Sequence, residues 1–197
     1  MLKIMIVLAC LFMTISCGTN NVAKLKYYLL SSPDTSTFKT HKVLTNTNGL
    51  RIGNVTTAEY LQRSQLPMLI GTHQVYYASQ HLWAQPLTDD IRMALEHALA
   101  GLFSESNSAD NATLHFHFDH FTATDNAAVI CEGHYRVEVE NTGPDSAQPR
   151  YPFTFTLPLD EDGFEHAISK LNQCISEISQ QAHQDFQGTM NHHAKQN

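Results

Sequence analysis

The stretch TLHFHFDHF, residues 113–121, decides the fold class because its side chains alternate between apolar and polar. From Leu114 to Asp119 every even-numbered residue is apolar and every odd-numbered residue is a histidine or an aspartate. Successive side chains of a β-strand point to opposite faces of a sheet, so a period of two predicts a half-buried strand. We expect the even-numbered side chains to face a core and the odd-numbered ones to face water.

Three histidines in this strand raise the question of a metal site. His115 and His117 share the predicted polar face, whereas the same period of two puts His120 on the other side. A structural zinc site needs four ligands and a catalytic one needs three, and no cysteine or histidine at ligand spacing completes the pair. His134 and Glu132 of the next predicted strand are suggestive neighbours only. We therefore interpret His115 and His117 as solvated residues and weak metal candidates, and we predict no cofactor.

Strand patterns and two amphipathic helix patterns occupy the rest of the chain. The helix patterns cover residues 82–103 and 163–186, with apolar residues at spacings of three and four. Consecutive hairpins predict a mostly antiparallel sheet with the two amphipathic helices packed on one face, which is an α+β fold. The other predicted strands cover residues 26–32, 49–55, 66–71, 73–79, 128–140 and 150–157, with a hairpin centred on Gly71-Thr72.

The first 16 residues have the pattern of a secretory signal peptide. Lys3 precedes an apolar run over residues 4–15, which is too short to span a bilayer as a helix. The following TISC resembles the lipobox of bacterial lipoproteins, so we predict lipid attachment at Cys17; an ordinary cleaved signal with an incidental cysteine is the alternative. Gly18, where aspartate would favour retention on the inner membrane, favours the outer membrane. We expect a tether over residues 17–25, a single domain over 26–186 and a flexible tail over 187–197.

Composition and motifs argue against several functional classes. The formal net charge is −7 and the sequence pI is 5.9, and no basic face typical of a nucleic-acid binder is visible. The chain has no G-x-S-x-G, no H-E-x-x-H and no glycine-rich phosphate loop. The acidic residues over 160–165 precede and begin the last predicted helix, where carboxylates usually act as caps and dipole partners. We predict that the protein is not an enzyme.

Cys131 and Cys174 are candidates for a disulfide. Cys131 belongs to the apolar alternation of the strand at 128–140, and Cys174 lies on the apolar side of the last helix, so both should face the layer between sheet and helices. An oxidising compartment would preserve a bridge there. Two buried thiols that act as small hydrophobic residues are the alternative.

Three aromatic residues before and at the first helix pattern are possible interface residues. Trp83 precedes the helical stripe and suits a hydrophobic staple or a core position better than a binding surface. Tyr76 and Tyr77 are adjacent in a strand, so at most one of them faces the core and the other is available to a partner.

Several stretches together resemble the PqiC-like ABC-type transport auxiliary lipoproteins. They are KYYLL (26–30), LRIGNVTTAEYL (50–61), VYYASQHLWAQPLTDDIRMAL (75–95) and YPFTFTLPLDEDGFEHAISKL (151–171). The most specific piece is the aromatic strand that runs into LWAQPL and a long helix. The lipobox threonine, the many histidines and the pair Cys131 and Cys174 depart from the family pattern.

The resemblance implies a non-enzymatic outer-membrane lipoprotein of the paraquat-inducible Pqi type. It would dock a tunnel or shuttle of MCE-domain proteins that carries lipid between the inner and outer membranes. The implied partners are a PqiB-like MCE protein in the periplasm, a PqiA-like permease in the inner membrane, and further copies of the chain in a homo-oligomeric ring. A stand-alone periplasmic metal-binding or hydrolytic lipoprotein is the alternative.

Overall fold

The described residues form one seven-stranded sheet and two α-helices, which confirms the predicted α+β class. A computed structural model describes residues 24–31, 50–103, 112–139 and 149–193. A short 3₁₀ helix at Glu59–Gln62 separates two of the strands. The elements are β1 (Lys26–Tyr28), β2 (Leu50–Thr57), β3 (Gln65–Ile70), β4 (Gln74–Trp83), α1 (Leu87–Phe103), β5 (Ala112–Thr124), β6 (Ala128–Val139), β7 (Arg150–Pro158) and α2 (Phe164–His193).

The sheet is mixed rather than purely antiparallel, although most of its paired residues are antiparallel, as the sequence predicted. The predicted hairpins β3–β4, β5–β6 and β6–β7 are antiparallel, but β1 pairs with β4 in the parallel sense, as do both β2 and β3 with β5. β2 lies along the first half of β5 and β3 along its end, so they follow one edge in the same direction. The 3₁₀ helix joins them without reversing the chain. The strand order is β1-β4-β3-β5-β6-β7, with β2 beside β5.

Both helices contribute their predicted apolar stripes to one core against the sheet. Ile91 and Leu95 of α1 and Ile175 and Ile178 of α2 are almost completely buried, and the two helices contact each other. The even-numbered apolar side chains of β5 from Leu114 to Phe118 are buried in the same cluster, as the alternation predicted. Helices and inner sheet face therefore form the two layers that the pattern indicated.

Both helices differ from their predicted lengths. α1 begins at Leu87 rather than at residue 82, because Leu82 and Trp83 still pair with β1 as the last residues of β4. The carbonyl of Pro86 accepts the first hydrogen bonds of the helix. α2 continues to His193, past the point at which we expected the tail to begin. The described residues of α2 thus include part of the predicted tail, and the remaining domain boundaries stay a prediction.

A buried carboxylate ties β1 to the start of α1. Asp90 is 1% exposed and accepts hydrogen bonds from the backbone N–H of Leu30, over 3.3 Å, and from the side-chain amide of Gln85. Burial raises the pKa of Asp90, and these two hydrogen bonds partly offset that shift. The sequence assigned Asp90 only a favourable position near the helix N-terminus, but its side chain also fixes the segment that follows β1.

We expect Asp90→Ala to lower the free energy of unfolding by about 1–3 kcal/mol, because it leaves the buried N–H of Leu30 without its acceptor. Asp89→Ala is the matched control, since Asp89 is exposed in the same helical turn and loses only the charge near the helix N-terminus. That charge contributes about 0.3–1 kcal/mol. Urea denaturation of both variants measures the difference, and equal losses would contradict the assigned role of Asp90.

Candidate functional site

The sheet face opposite the helices carries histidine and arginine side chains, and we call it the outer face. A bulge in β5 determines which residues of this strand lie on the outer face. The register between β5 and β6 shifts between Phe118 and His120, which leaves Asp119 as an extra residue. Residues after a bulge exchange faces relative to a regular strand. His120 therefore lies on the outer face with His117, and the prediction that it points to the other side is wrong.

Polar neighbours hold His115 at both ring nitrogens. The backbone N–H of Asn54 donates to Nδ1 over 3.1 Å, and Nε2 lies 3.1 Å from a carboxylate oxygen of Glu138. Because Nδ1 accepts a hydrogen bond, the hydrogen of the neutral ring is on Nε2 and is donated to Glu138. Gly53 of β2 provides the space, since a Cβ there would lie 2.6 Å from Cε1 of the His115 ring.

His117 also contacts polar side chains through both ring nitrogens. Nδ1 lies 2.8 Å from the hydroxyl oxygen of Thr56, and Nε2 lies 3.4 Å from Oδ1 of Asp119. Its ring centroid is 5.3 Å from that of His134 on β6. Within the described part of the chain, no three histidine, cysteine, aspartate or glutamate side chains come together in an arrangement that could hold a metal ion. His115 and His117 have protein partners at both ring nitrogens, which are the atoms that would bind a metal.

A groove of about 340 Å³ crosses the outer face at these rings. Arg136 of β6 and Arg150 of β7 are direct cross-strand partners, and both side chains are exposed. His134 lies two residues before Arg136 on the same face. The described residues that line the groove are arginines, histidines and uncharged residues, with no carboxylate among them: Asn54, Thr56, His115, Phe116, His117, His134, Arg136 and Arg150. We call His134, Arg136 and Arg150 the cationic cluster.

Sequence reasoning missed the two arginines of this cluster. Arg136 was recognisable as an outward residue of its strand, because it alternates with buried Tyr135 and Val137. Its pairing with Arg150 depends on the register of β6 against β7, which the long connection between these strands conceals. Only the structure brings the two guanidinium groups together.

The environment of His134 favours its neutral form. Partial burial lowers the pKa of His134, and the positive charges of His117, Arg150 and Arg136 lower it further, whereas Asp119 acts in the opposite direction. A negatively charged group bound in the groove would reverse the effect of these neighbours.

The possible interface residues differ in their exposure. Trp83 is 5% exposed and belongs to the core, so it does not present a surface to a partner and the packing interpretation describes it better. Tyr77 is half-buried, donates a hydrogen bond to the carbonyl of Tyr60 over 3.1 Å, and lies under the guanidinium of Arg63. Tyr76 is 49% exposed, as expected for the member of the pair that faces away from neighbours.

An apolar strip on the outward side of β1 was not anticipated. Leu25, Tyr27 and Leu29 are all about half exposed or more, whereas Leu30 is buried. Among the described strands, β1 is at the edge of the sheet and pairs with β4 alone. We call Leu25, Tyr27 and Leu29 the β1 strip.

Cys131 and Cys174 are both free thiols, and neither is accessible to solvent. The Cys174 side chain neighbours the Cys131 thiol, as the sequence predicted from their shared layer. Burial raises the pKa of the Cys131 thiol, and the neighbouring Cys174 raises it further. The predicted lipid attachment residue, Cys17, lies outside the described residues.

The family model for the ABC-type transport auxiliary lipoprotein component matches residues 28–182. The chain therefore belongs to this family, the family of PqiC-like lipoproteins. This is a family of transport components and not a known enzyme family. A search of curated proteins finds no match.

Two solved structures share the fold. The crystal structure of an uncharacterised protein is 20% identical with a TM-score of 0.66, and the match covers 83% of this chain and 99% of that one. Protein XCC0632 from Xanthomonas campestris, a DUF330 protein, is 13% identical with a TM-score of 0.60, and the match covers 74% of this chain and 87% of that one. These likenesses support the architecture alone.

Neither of the described helices, α1 and α2, combines the length and the apolar composition needed to cross a bilayer.

Proposed function

We propose that the protein is an outer-membrane lipoprotein that docks an MCE-protein tunnel or shuttle and so assists lipid transport between the inner and outer membranes. The observation that carries the proposal is the family match over residues 28–182, because it assigns the chain to auxiliary lipoproteins of ABC-type transport. The TISC motif adds acylation at Cys17, which would fix the domain to the membrane through a short tether.

We assign the contact between neighbouring copies in a ring to the β1 strip. Edge strands present unpaired backbone groups to other chains, and exposed apolar side chains beside them lose contact with water on association. Tyr27 is 63% exposed although it is a large aromatic residue, and Leu25 is 54% exposed. The strip follows the tether directly, so a ring formed through it would gather the anchors of its subunits on one side.

The proposal predicts that the mature lipoprotein in mild detergent forms an oligomer that binds an MCE-domain protein from the same cell. Light scattering after size exclusion gives the mass with and without this partner, and intact mass spectrometry gives the acyl groups on Cys17. Replacement of Leu25, Tyr27 and Leu29 by serine should reduce the oligomer to smaller species. Met93→Ser is the control, since Met93 is another large apolar residue that is 52% exposed but lies on α1 rather than on β1.

Each part of the proposal can fail separately. A wild-type protein that does not bind any MCE-domain partner would contradict the docking role. A serine triple variant that keeps the wild-type mass would contradict the assignment of the β1 strip. An unmodified Cys17 in protein isolated from the outer membrane would contradict the lipid anchor.

A further inference from the structure

We propose that the cationic cluster of His134, Arg136 and Arg150 on the outer face binds a phosphate group. The proposal concerns a different surface from the β1 strip and does not depend on the docking role.

The first argument is the placement of the two arginines. Arg136 and Arg150 are Cα partners in the β6–β7 ladder, so like charges stand directly opposite each other. Such a pair destabilises a sheet unless an anion lies between the two groups. The next pair on the outer face joins His134 to Pro152, whose side chain carries no charge.

The second argument is the lack of compensation by the protein. No carboxylate of the described residues forms an ion pair with Arg136 or Arg150, although the whole chain carries a net charge of −7. Two carboxylates on this face already have partners, since Glu138 contacts His115 and Asp119 contacts His117. Nor does a described residue form a hydrogen bond with the ring nitrogens of His134, in contrast to its two histidine neighbours. The described part of the protein therefore leaves the donors of the cluster available for a ligand.

The third argument is the match between these donors and a phosphate. A guanidinium group presents a planar fork of N–H donors that suits the oxygens of phosphate, and two forks with an imidazole can address three oxygens from different sides. The oxygens of a phosphate group point to the corners of a tetrahedron, whereas the two oxygens of a carboxylate lie in one plane. Inorganic phosphate can also carry two negative charges, and a phosphodiester carries one. The groove of about 340 Å³ has room for a phosphate group together with part of a larger molecule.

Two sources supply this chemistry, namely inorganic phosphate and the head group of a phospholipid. The test uses the full mature protein in non-ionic detergent and two probes: inorganic phosphate, and dihexanoyl phosphatidylglycerol below its micelle concentration. Dihexanoylglycerol, which lacks the phosphate, is the uncharged control probe. Calorimetry gives Kd, and the imidazole NMR signals of His134, assigned through His134→Gln, give its pKa with and without the probe.

We expect saturable binding of at least one phosphate probe, no binding of dihexanoylglycerol, and a rise in the pKa of His134 on binding. Loss of a charged hydrogen bond corresponds to a roughly tenfold or larger change in affinity, so Arg136→Gln and Arg150→Gln should each weaken binding by at least about that factor. Arg63→Gln is the matched control, because Arg63 is an exposed arginine that contacts Tyr77 outside the groove. It removes the same charge and should leave Kd within about twofold of the wild type.

The outcomes separate the possibilities. Binding of inorganic phosphate alone identifies a soluble phosphate as the ligand, and tighter binding of phosphatidylglycerol identifies a lipid head group. Absence of saturable binding by both probes overturns the proposal, as does an equal loss of affinity in Arg63→Gln and Arg136→Gln. Tighter binding of an oligoglutamate peptide than of either probe would replace phosphate by an acidic protein segment. If a glutamine variant does not fold, Arg136→Lys keeps the charge, loses the planar fork and should still weaken binding.

Discussion

Replacement of Gly133 by alanine is expected to lower the free energy of unfolding by about 3 kcal/mol, in the upper part of the range for overpacked interiors. An added Cβ at this position would lie 2.0 Å from the carbonyl oxygen of His117 and 2.9 Å from Cζ of Phe153. The first of these atoms belongs to the backbone of β5, so a side-chain rotation cannot relieve the contact. The central strands would have to separate, at the point where Gly133 pairs with Phe118 just before the bulge.

Gly188→Ala is the control for this change. Gly188 lies in α2, and an added Cβ would have no atom within 4 Å. Because glycine is a poor helix former, alanine there should stabilise the protein by up to about 1 kcal/mol. We therefore expect the denaturation midpoints of the two variants to move in opposite directions, and chemical denaturation measures both. A Gly133→Ala variant with a wild-type midpoint would show that β5 and β6 do not approach as closely as the structure indicates.

The second large effect concerns Cys131 and Cys174, which we expect to form a disulfide in protein exported to an oxidising compartment. The structure holds them as neighbouring free thiols, and a bridge would close a loop of about 44 residues. Loss of chain entropy in the unfolded state then stabilises the fold by about 4 kcal/mol, less any strain. Reductant should therefore lower the unfolding midpoint of the wild type and leave that of a Cys131→Ala, Cys174→Ala double variant unchanged.

Alkylation under denaturing, non-reducing conditions tests the bridge directly. We expect no alkyl group on the mature domain before reduction and two afterwards, by intact mass. Two alkyl groups before reduction would contradict the bridge. Since a raised pKa leaves little thiolate, the folded reduced protein should oxidise slowly, and the bridge should form before the helix packs on the sheet.

The sequence was sufficient to predict those parts of the fold in which apolar residues recur with the regular period of a strand or a helix. The alternation in β5 and β6 and the stripes of both helices identified the buried faces, because burial of apolar side chains repeats with the geometry of each element. The same rule failed at Asp119, since a single extra residue leaves no mark in the composition of a strand. His120 was consequently assigned to the wrong face.

Pairing between distant segments could not be obtained in this way. The period of β2 indicates a strand but contains no information about its partner or direction, so its parallel contact with β5 was missed. The cationic cluster depends on the same kind of information, because Arg136 and Arg150 come together only through the register of two strands. The burial of Cys131 and Cys174 between sheet and helices was predictable, because each lies on the apolar face of its own element.

The position of β2 and β3 along one edge of β5 has a consequence for folding kinetics. Thr56 and Phe116, which meet across this edge, are 60 positions apart in the chain, so β2 leaves the ribosome and the export channel well before its partner does. Pairing over such a sequence separation is slow, because the entropy of closing a long loop must be overcome first. During that interval Val55 and the other apolar residues of β2 have no sheet to pack on. A chaperone that shields extended apolar segments would then be needed most at the N-terminal third of the domain, and the hairpins from β5 onward could fold without it.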